Sequence, residues 1–150
     1  MKCNDFKILI AEDEPSVRRL YERAFQAEGY DVTMVEAGGQ MLAELDENRF
    51  DLLITDMKLD GMSALEALPY IRKGHPEMPI IVVSGHYMDL ENDFHKKGFN
   101  VMHFFHKPMS FAVLRKAVRT RSTVAPMSQK PVDTFSGFWR TATSMVASST

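Results

Sequence analysis

Cysteine is almost absent from this chain of 150 residues, in which Cys3 is the only one. A single cysteine excludes an internal disulfide and favours a reducing compartment. Long apolar runs are missing as well, because Glu12, Asp13 and Glu14 interrupt the apolar stretch near the N-terminus, far short of the roughly 20 residues of a membrane span. We therefore expect a cytoplasmic protein that makes no membrane contact.

The chain also lacks an excess of charge of either sign. It has 18 Lys and Arg residues against 20 Asp and Glu residues, for a net charge of -2. Without a basic stripe, this domain is predicted to make no direct contact with nucleic acid. The length suits one globular domain with a sizeable core and leaves no room for a second.

What the chain does contain is a fivefold alternation of strand-like runs and helical periods. The strand-like runs cover residues 7–11, 31–36, 51–55, 79–83 and 101–105. After the first run, Val17, Leu20, Tyr21 and Ala24 recur at the spacing of one helix face. Such alternation is typical of βα units around a parallel sheet, so we predict an α/β fold.

In two segments the alternation of strand-like runs and helical periods is weak or absent. The helix predicted over about 87–97 has only a thin apolar stripe. From Ser122 onward the composition shifts to Ser, Thr, Ala and Pro, which predicts a folded domain over 1–121 and a tail over 122–150. The tail could be a linker start or could form a short amphipathic helix, because apolar residues recur there at helical spacing: Phe135, Phe138, Trp139, Ala142 and Val146.

Polar residues stand where the strand-like runs end. Glu12 and Asp13 follow the first run, Asp56 the third and Ser84 the fourth, and Lys107 comes shortly after the fifth. The carboxyl ends of parallel strands meet at one edge of a sheet, where α/β proteins bind their ligands. We therefore expect these five side chains to share one site.

The acids of this set suit a divalent cation. Mg²⁺ prefers oxygen ligands and is usually held by one or two carboxylates, which fits Asp13 and Asp56 with Glu12 close by. Three acids at one edge repel each other, so at least one pKa should be raised and a bound cation should stabilise the fold.

The same residues fit phosphoryl chemistry. A carboxylate can act as a nucleophile and form an aspartyl-phosphate when nearby cations neutralise the phosphoryl oxygens. Lys107 and the metal would supply that neutralisation. Ser84 has no adjacent base in the sequence, so we expect it to donate a hydrogen bond to the phosphoryl group and not to act as a nucleophile.

Over about residues 5–121 the chain resembles the receiver domain of bacterial two-component response regulators. The resemblance is carried by four segments: ILIAEDE with Glu12 and Asp13, DMKLDGM beginning at Asp56, VVSG with Ser84, and FFHKP with Lys107. It implies a flavodoxin-like (βα)5 fold, a three-layer sandwich around a parallel five-stranded sheet of order 2-1-3-4-5, the order known for chemotaxis receivers.

The resemblance also implies roles for the site. Asp56 would accept a phosphoryl group from a sensor histidine kinase or a histidine phosphotransfer protein, and Lys107 would pair with the phosphoryl oxygens. Mg²⁺ would be held by Asp13, by Asp56, by Glu12 through water and by the backbone carbonyl of Lys58. The domain would be a phosphoacceptor that assists its own phosphorylation and dephosphorylation, not an enzyme in the ordinary sense.

The resemblance further implies a cis bond between Lys107 and Pro108, and a switch in which Ser84 moves to the phosphoryl group while Phe104 turns inward. Two positions depart from the family pattern. Asp60 stands where proline is common, and Ala64 replaces a frequent glycine. The loop after Asp56 and the start of the next helix are therefore expected to differ in shape.

Several functions remain open at this point. The leading one is a phosphorylation-dependent switch that binds an unknown downstream protein or relays the phosphoryl group. The second is the receiver part of a DNA-binding transcriptional regulator whose output domain lies outside this chain; a gene that ends at Thr150 would argue against it. An interaction module without phosphorylation is disfavoured because every residue needed is present. A phosphatase of the aspartyl-phosphate kind is disfavoured because Lys58 stands where its second acid is expected.

Overall fold

The computed structural model describes residues 5–85 and 100–122. In chain order the elements of these residues are β1 (Lys7–Ala11), α1 (Pro15–Ala27), β2 (Asp31–Val35), α2 (Gly38–Glu47), β3 (Leu52–Asp56), β4 (Lys58–Leu59), β5 (Met62–Ser63), α3 (Ala64–Gly74), β6 (Ile80–Ser84), β7 (His103–His106) and α4 (Phe111–Ser122).

Five of the strands form one parallel sheet in the order β2-β1-β3-β6-β7. Because β6 and β7 are the fourth and fifth of the five predicted strands, this order is the expected 2-1-3-4-5. The α/β, flavodoxin-like prediction is confirmed.

Strand boundaries differ by one or two residues from those predicted. The second strand ends at Val35, and the fifth begins at His103 instead of position 101. Asp56 and Ser84 are the last residues of their strands and do not merely follow them. Hydrogen-bonded pairing with a neighbour sets where a strand ends, and apolar content shows this only approximately.

Apolar side chains pack on both faces of the sheet, since parallel sheets are covered on both sides and their strands are buried throughout. On one face α2 and α3 cover the strands with Met41, Leu45, Leu68 and Ile71. On the other face α1 and α4 contribute Tyr21, Phe25, Leu114 and Val118. The two cores hold the sheet edge rigidly where the strands end.

A short hairpin after β3 was not predicted. It consists of β4 and β5, which pair antiparallel, and Gly61 occupies its turn with φ 81°, a conformation that glycine adopts without strain. Ser63 then caps α3 in a capping box: its side chain accepts from the Glu66 N–H, while the Glu66 side chain accepts from the Ser63 N–H. The helix therefore starts at Ala64, where the family more often has glycine.

The helix predicted over 87–97 and the tail over 123–150 lie outside the described residues. Both remain predictions, as does the domain boundary at 121, although α4 runs to Ser122, whose hydroxyl lies 2.9 Å from that of Tyr30. In the part of the chain that the structure covers, every helix is too short or too polar to cross a membrane.

Candidate functional site

Side chains from three strand ends meet at the carboxyl edge of the sheet. Glu12 directly follows β1, Asp56 ends β3, and Lys107 directly follows β7. The Lys107 Nζ atom lies 3.2 Å from Asp56 Oδ2 and 3.6 Å from Glu12 Oε1. One ammonium group thus contacts two carboxylates that are 44 positions apart in the sequence.

The acids form a compact oxygen cluster. Glu12, Asp13 and Asp56 each offer a carboxylate oxygen, and these oxygens lie within 4.8 Å of one another. Glu12 is buried and Asp56 half-buried, whereas Asp13 is exposed, so the cluster opens to solvent on one side. A set of carboxylate oxygens at this spacing could hold a hard divalent cation.

The loop between β1 and α1 is held by contacts that place the acidic pair. Arg18 Nη1 donates to the backbone carbonyl of Glu12 at 3.0 Å and to that of Asp13 at 3.4 Å. The Glu14 N–H donates to Glu12 Oε2 at 3.1 Å. By helical periodicity Arg18 lies off the predicted apolar face of α1, and no feature of the sequence distinguishes it from the nearby Arg19 and Arg23.

Asp56 is positioned by the central strand of the sheet. The next N–H, that of Met57, donates to the Val83 carbonyl at 2.8 Å, and the Thr55 hydroxyl donates to the Asp56 carbonyl at 2.9 Å. The peptide group that follows Asp56 is therefore held at both its carbonyl and its N–H, which fixes the backbone from which the carboxylate projects.

Burial disfavours the charged form of both inner acids. It is the main cause that raises the pKa of Glu12, where the neighbouring Asp56 and Asp13 add to the rise while the Glu14 N–H and Lys107 oppose it. Burial likewise raises the pKa of Asp56, against the opposing effect of Lys107. The expected rise is present, but desolvation contributes more to it than the repulsion between acids that the sequence suggested.

The same carboxylates favour the charged form of Lys107. Burial alone would lower the pKa of Lys107, but the carboxylates of Asp56 and Glu12 outweigh it and raise that pKa above its ordinary value. Lys107 is therefore a fixed positive charge at neutral pH.

The remaining residues of the predicted site lie around this centre. Ser84 is fully buried at the end of β6, and its carbonyl accepts from the Lys107 N–H at 2.7 Å. Lys58 lies in β4 with an exposed side chain. The Lys107–Pro108 peptide bond is cis, as the resemblance implied.

Phe104 lies on β7 and packs against the core on the α2 and α3 side. It pairs with Val82, and His106 pairs with Ser84, so Phe104 and Ser84 lie on the same face of adjacent strands. The rings of Phe104 and His106 are 5.3 Å apart between centroids. Ser84 and Phe104 are thus diagonal neighbours on one face of the sheet.

The arrangement suits one kind of chemistry. Asp56 presents a carboxylate oxygen, a nucleophile, beside an ammonium group that can neutralise an anionic group attached there. The neighbouring acids can hold a cation that adds to this neutralisation. A cleft of about 510 Å³ lies beside this centre and is lined partly by Glu14, Tyr21 and Lys107.

The chain is similar to proteins of one kind in both sequence and structure. The family model of the response regulator receiver domain matches residues 8–119 of this chain. The transcriptional regulatory protein GlrR of Escherichia coli is 32% identical over 79 residues, which cover 53% of this chain and 18% of that protein. The response regulator protein PilR of Pseudomonas aeruginosa is 30% identical over 129 residues, or 85% of this chain and 29% of the relative. The chain therefore spans less than a third of either relative.

Solved structures give the same result. The CheY-like receiver domain protein of Methanospirillum hungatei has a TM-score of 0.72 at 26% identity, with 79% of this chain and 94% of that chain covered. TrrA of Thermotoga maritima, solved in complex with Mg(2+)-BeF, has a TM-score of 0.65 at 26% identity, with 77% and 98% covered. With its parallel sheet, its acid cluster and a family match that covers about three quarters of its length, this chain belongs to the receiver domains of two-component response regulators.

Proposed function

We propose that this receiver domain is a phosphorylation-dependent signalling switch that accepts a phosphoryl group on Asp56. The observation that carries the proposal is the 3.2 Å contact between Lys107 Nζ and Asp56 Oδ2, beside two further acids. An ammonium group held at this distance would lie next to the oxygens of a phosphoryl group on Asp56.

Mg²⁺ is the metal of this proposal, since the donor set consists of carboxylate oxygens. Asp13 and Asp56 would hold it directly, Glu12 through water and Lys58 through its backbone carbonyl. When bound, the metal neutralises charge on the acids and on the phosphoryl oxygens. The Mg(2+)-BeF complex of the similar TrrA supports this assignment.

The transfer requires little from the protein beyond positioning. An Asp56 carboxylate oxygen attacks the phosphorus of a phosphohistidine, the new P–O bond forms as the P–N bond breaks, and the imidazole leaves with the electron pair. Lys107 pairs with the phosphoryl oxygens and Ser84 donates a hydrogen bond to one of them. Later attack by water on phosphorus restores the carboxylate and releases inorganic phosphate. Asp56 is thus a phosphoacceptor within a domain that assists both steps, and no separate substrate is turned over.

The switch of this proposal is the pair Ser84 and Phe104. Phosphorylation adds charge and acceptor oxygens at the sheet edge. Drawing the Ser84 hydroxyl towards them would free space on the face that Ser84 shares with Phe104, and the ring would turn inward. The surface around β7 would change, and a downstream protein could recognise the change.

The partners in this proposal follow from family membership. A sensor histidine kinase or a histidine phosphotransfer protein would supply the phosphoryl group, and an unidentified protein would bind the phosphorylated form. The predicted cytoplasmic location belongs to the same proposal, because kinases that use ATP to form phosphohistidine work there.

A second candidate function has its own support. The relatives include proteins described as transcriptional or DNA-binding transcriptional regulators, of which this chain spans 16–18%. The chain would then be the receiver part of such a regulator, and DNA contact would belong to another domain. Sequencing the reading frame beyond the codon for Thr150 discriminates between the two candidates.

Incubation with acetyl phosphate and Mg²⁺ should add the mass of one phosphoryl group to the wild-type protein and none to Asp56→Asn. The amide cannot form the acyl phosphate, because it is a far weaker nucleophile than a carboxylate. Intact-protein mass spectrometry measures the adduct.

Asp60→Asn is the matched control, since Asp60 is an exposed acid of the neighbouring hairpin turn. It should accept the phosphoryl group as the wild type does. An adduct on Asp56→Asn, or none on the wild type, would contradict the proposal.

Asp56→Asn should also raise the melting temperature of the metal-free protein at pH 7.5, by about 4 °C if the gain is about 1 kcal/mol. Because burial raises the pKa values of Asp56 and Glu12, these groups stabilise the fold when protonated, and that stability is lost as pH rises through the folded-state pKa values. Mg²⁺ should therefore stabilise the wild type more at pH 7.5 than at pH 4.5, and Asp56→Asn should lose most of this effect. Thermal unfolding followed by circular dichroism measures the melting temperature of both proteins, with and without Mg²⁺ and at both pH values.

Asp31→Asn provides the control, because Asp31 is exposed at the opposite edge of the sheet. It should leave the response to Mg²⁺ unchanged. A wild type that Mg²⁺ does not stabilise at pH 7.5 would argue against the metal site.

The Phe104 ring resonances should shift when Mg²⁺ and beryllofluoride, a phosphoryl mimic, are added to the wild type. In Ser84→Ala the shift should fall by at least about half, because the hydroxyl that links the phosphoryl group to the ring is missing. Aromatic ¹³C–¹H NMR measures the shift, with Thr33→Ala on the edge strand β2 as the control. An undiminished shift in Ser84→Ala would remove Ser84 from the switch.

A further inference from the structure

Gly38, the first residue of α2, is buried against the β4–β5 hairpin. A Cβ atom built on Gly38 would lie 2.7 Å from Met62 Cβ and 3.3 Å from Met62 Cγ. Such distances are shorter than van der Waals contact, so only glycine lets the helix and the hairpin approach this closely. Gly39 next to it is exposed, and a Cβ there would meet nothing within 4 Å.

Backbone contacts strengthen the same junction. The Gly38 N–H donates to the Asp60 carbonyl at 3.4 Å, and Ala37 forms a parallel β-bridge with Asp60. The start of α2 is therefore joined to the hairpin both by packing at Met62 and by pairing at Asp60.

The hairpin carries the backbone carbonyl proposed as a metal ligand. Met62 pairs with Leu59, and the next pair joins Lys58 to Ser63. A displacement of Met62 is therefore passed through its partner Leu59 to the adjoining Lys58. The hairpin also lines a cleft of about 320 Å³ that includes Asp13, so its position sets how far the Lys58 carbonyl lies from the acids.

The helix is the firmer of the two partners. α2 is anchored by Met41, which is fully buried, and by Leu45, which is 3% exposed. The hairpin has two pairs between β4 and β5, and apart from its contacts with Ala37 and Gly38 it is anchored mainly by Leu59, which is 7% exposed. An added methyl group at Gly38 should therefore push the hairpin away from the sheet edge and leave the helix in place.

We infer that Gly38 is a positioning residue for the metal site. Its missing side chain lets the hairpin lie close to α2, and this places the Lys58 carbonyl to complete the oxygen ligands supplied by Asp13 and Asp56. The inference rests on the proposed metal site and assigns to it a residue that contacts neither metal nor phosphoryl group.

The test compares Gly38→Ala with Gly39→Ala in the full chain. The dissociation constant for Mn²⁺, used as the probe in place of Mg²⁺, is measured by EPR of the free ion, and folding is checked by circular dichroism. Gly38→Ala should bind Mn²⁺ about tenfold more weakly, the size of effect seen when a residue that orients a metal ligand is lost. Gly39→Ala should match the wild type, because its methyl group points into open space.

Adding Met62→Gly to Gly38→Ala removes both close contacts and should restore the wild-type dissociation constant. The double variant also decides the question if Gly38→Ala alone does not fold. Wild-type affinity in a folded Gly38→Ala, or affinity that stays weak in the folded double variant, overturns the inference.

These outcomes are separate from failure of the proposed function. If the wild type accepts phosphate on Asp56 and binds Mn²⁺ while Gly38→Ala binds equally well, the inference about Gly38 alone is wrong. If the wild type binds no Mn²⁺, the proposed metal site is wrong and the inference is overturned with it.

Discussion

Crowding of negative charge at one edge of the sheet is the constraint on which the rest of the site depends. Glu12, Asp13 and Asp56 bring carboxylate oxygens within 4.8 Å of one another, and the fold buries two of these groups. Lys107 offsets part of this charge through contacts of 3.2 and 3.6 Å. One ammonium cannot neutralise three acids, so a divalent cation or an added proton relieves the remainder. The metal-free site therefore favours the binding of a cation. The unfavourable free energy of its crowded acids is offset by apolar packing elsewhere in the fold.

The fold tolerates this cost because two apolar cores stabilise the sheet, one on each face. Strands β1, β3 and β6 are almost fully buried between the helix layers. The acids sit beyond the last apolar residue of each strand, where the sheet is rigid but the side chains reach the edge. The β4–β5 hairpin differs in kind, since it has two pairs and depends on close contact with α2. Rigid acids combined with a smaller adjustable element would let metal affinity be tuned without rebuilding the core.

Much of this could be predicted from the sequence, for identifiable reasons. Strand order followed from the resemblance, and the meeting of the strand ends followed from the alternation of strands and helices. The face of α1 followed from periodicity only in part: Tyr21 is buried as predicted, whereas Leu20 is 52% exposed and the fully buried Phe25 was not in the predicted set. The β4–β5 pairing could not be predicted, because the hairpin has too few residues to show the alternation of a strand. The start of α3 does have a sequence signal, since the spacing of Ser63 and Glu66 matches a capping box. Arg18 could not be recognised, because its role depends on backbone carbonyls brought near by folding. Likewise, desolvation of Asp56 depends on burial that spacing alone does not reveal.

The pKa of the Asp56 carboxyl in the metal-free protein tests the charge-crowding account most directly. Carboxyl ¹³C NMR over a pH titration, with and without saturating Mg²⁺, reports it, and Asp56→Asn assigns the resonance. The account predicts a pKa above the ordinary aspartate value without metal and a clear decrease with Mg²⁺, because the cation favours the ionised form. A pKa at or below the ordinary value, unmoved by Mg²⁺, would contradict it.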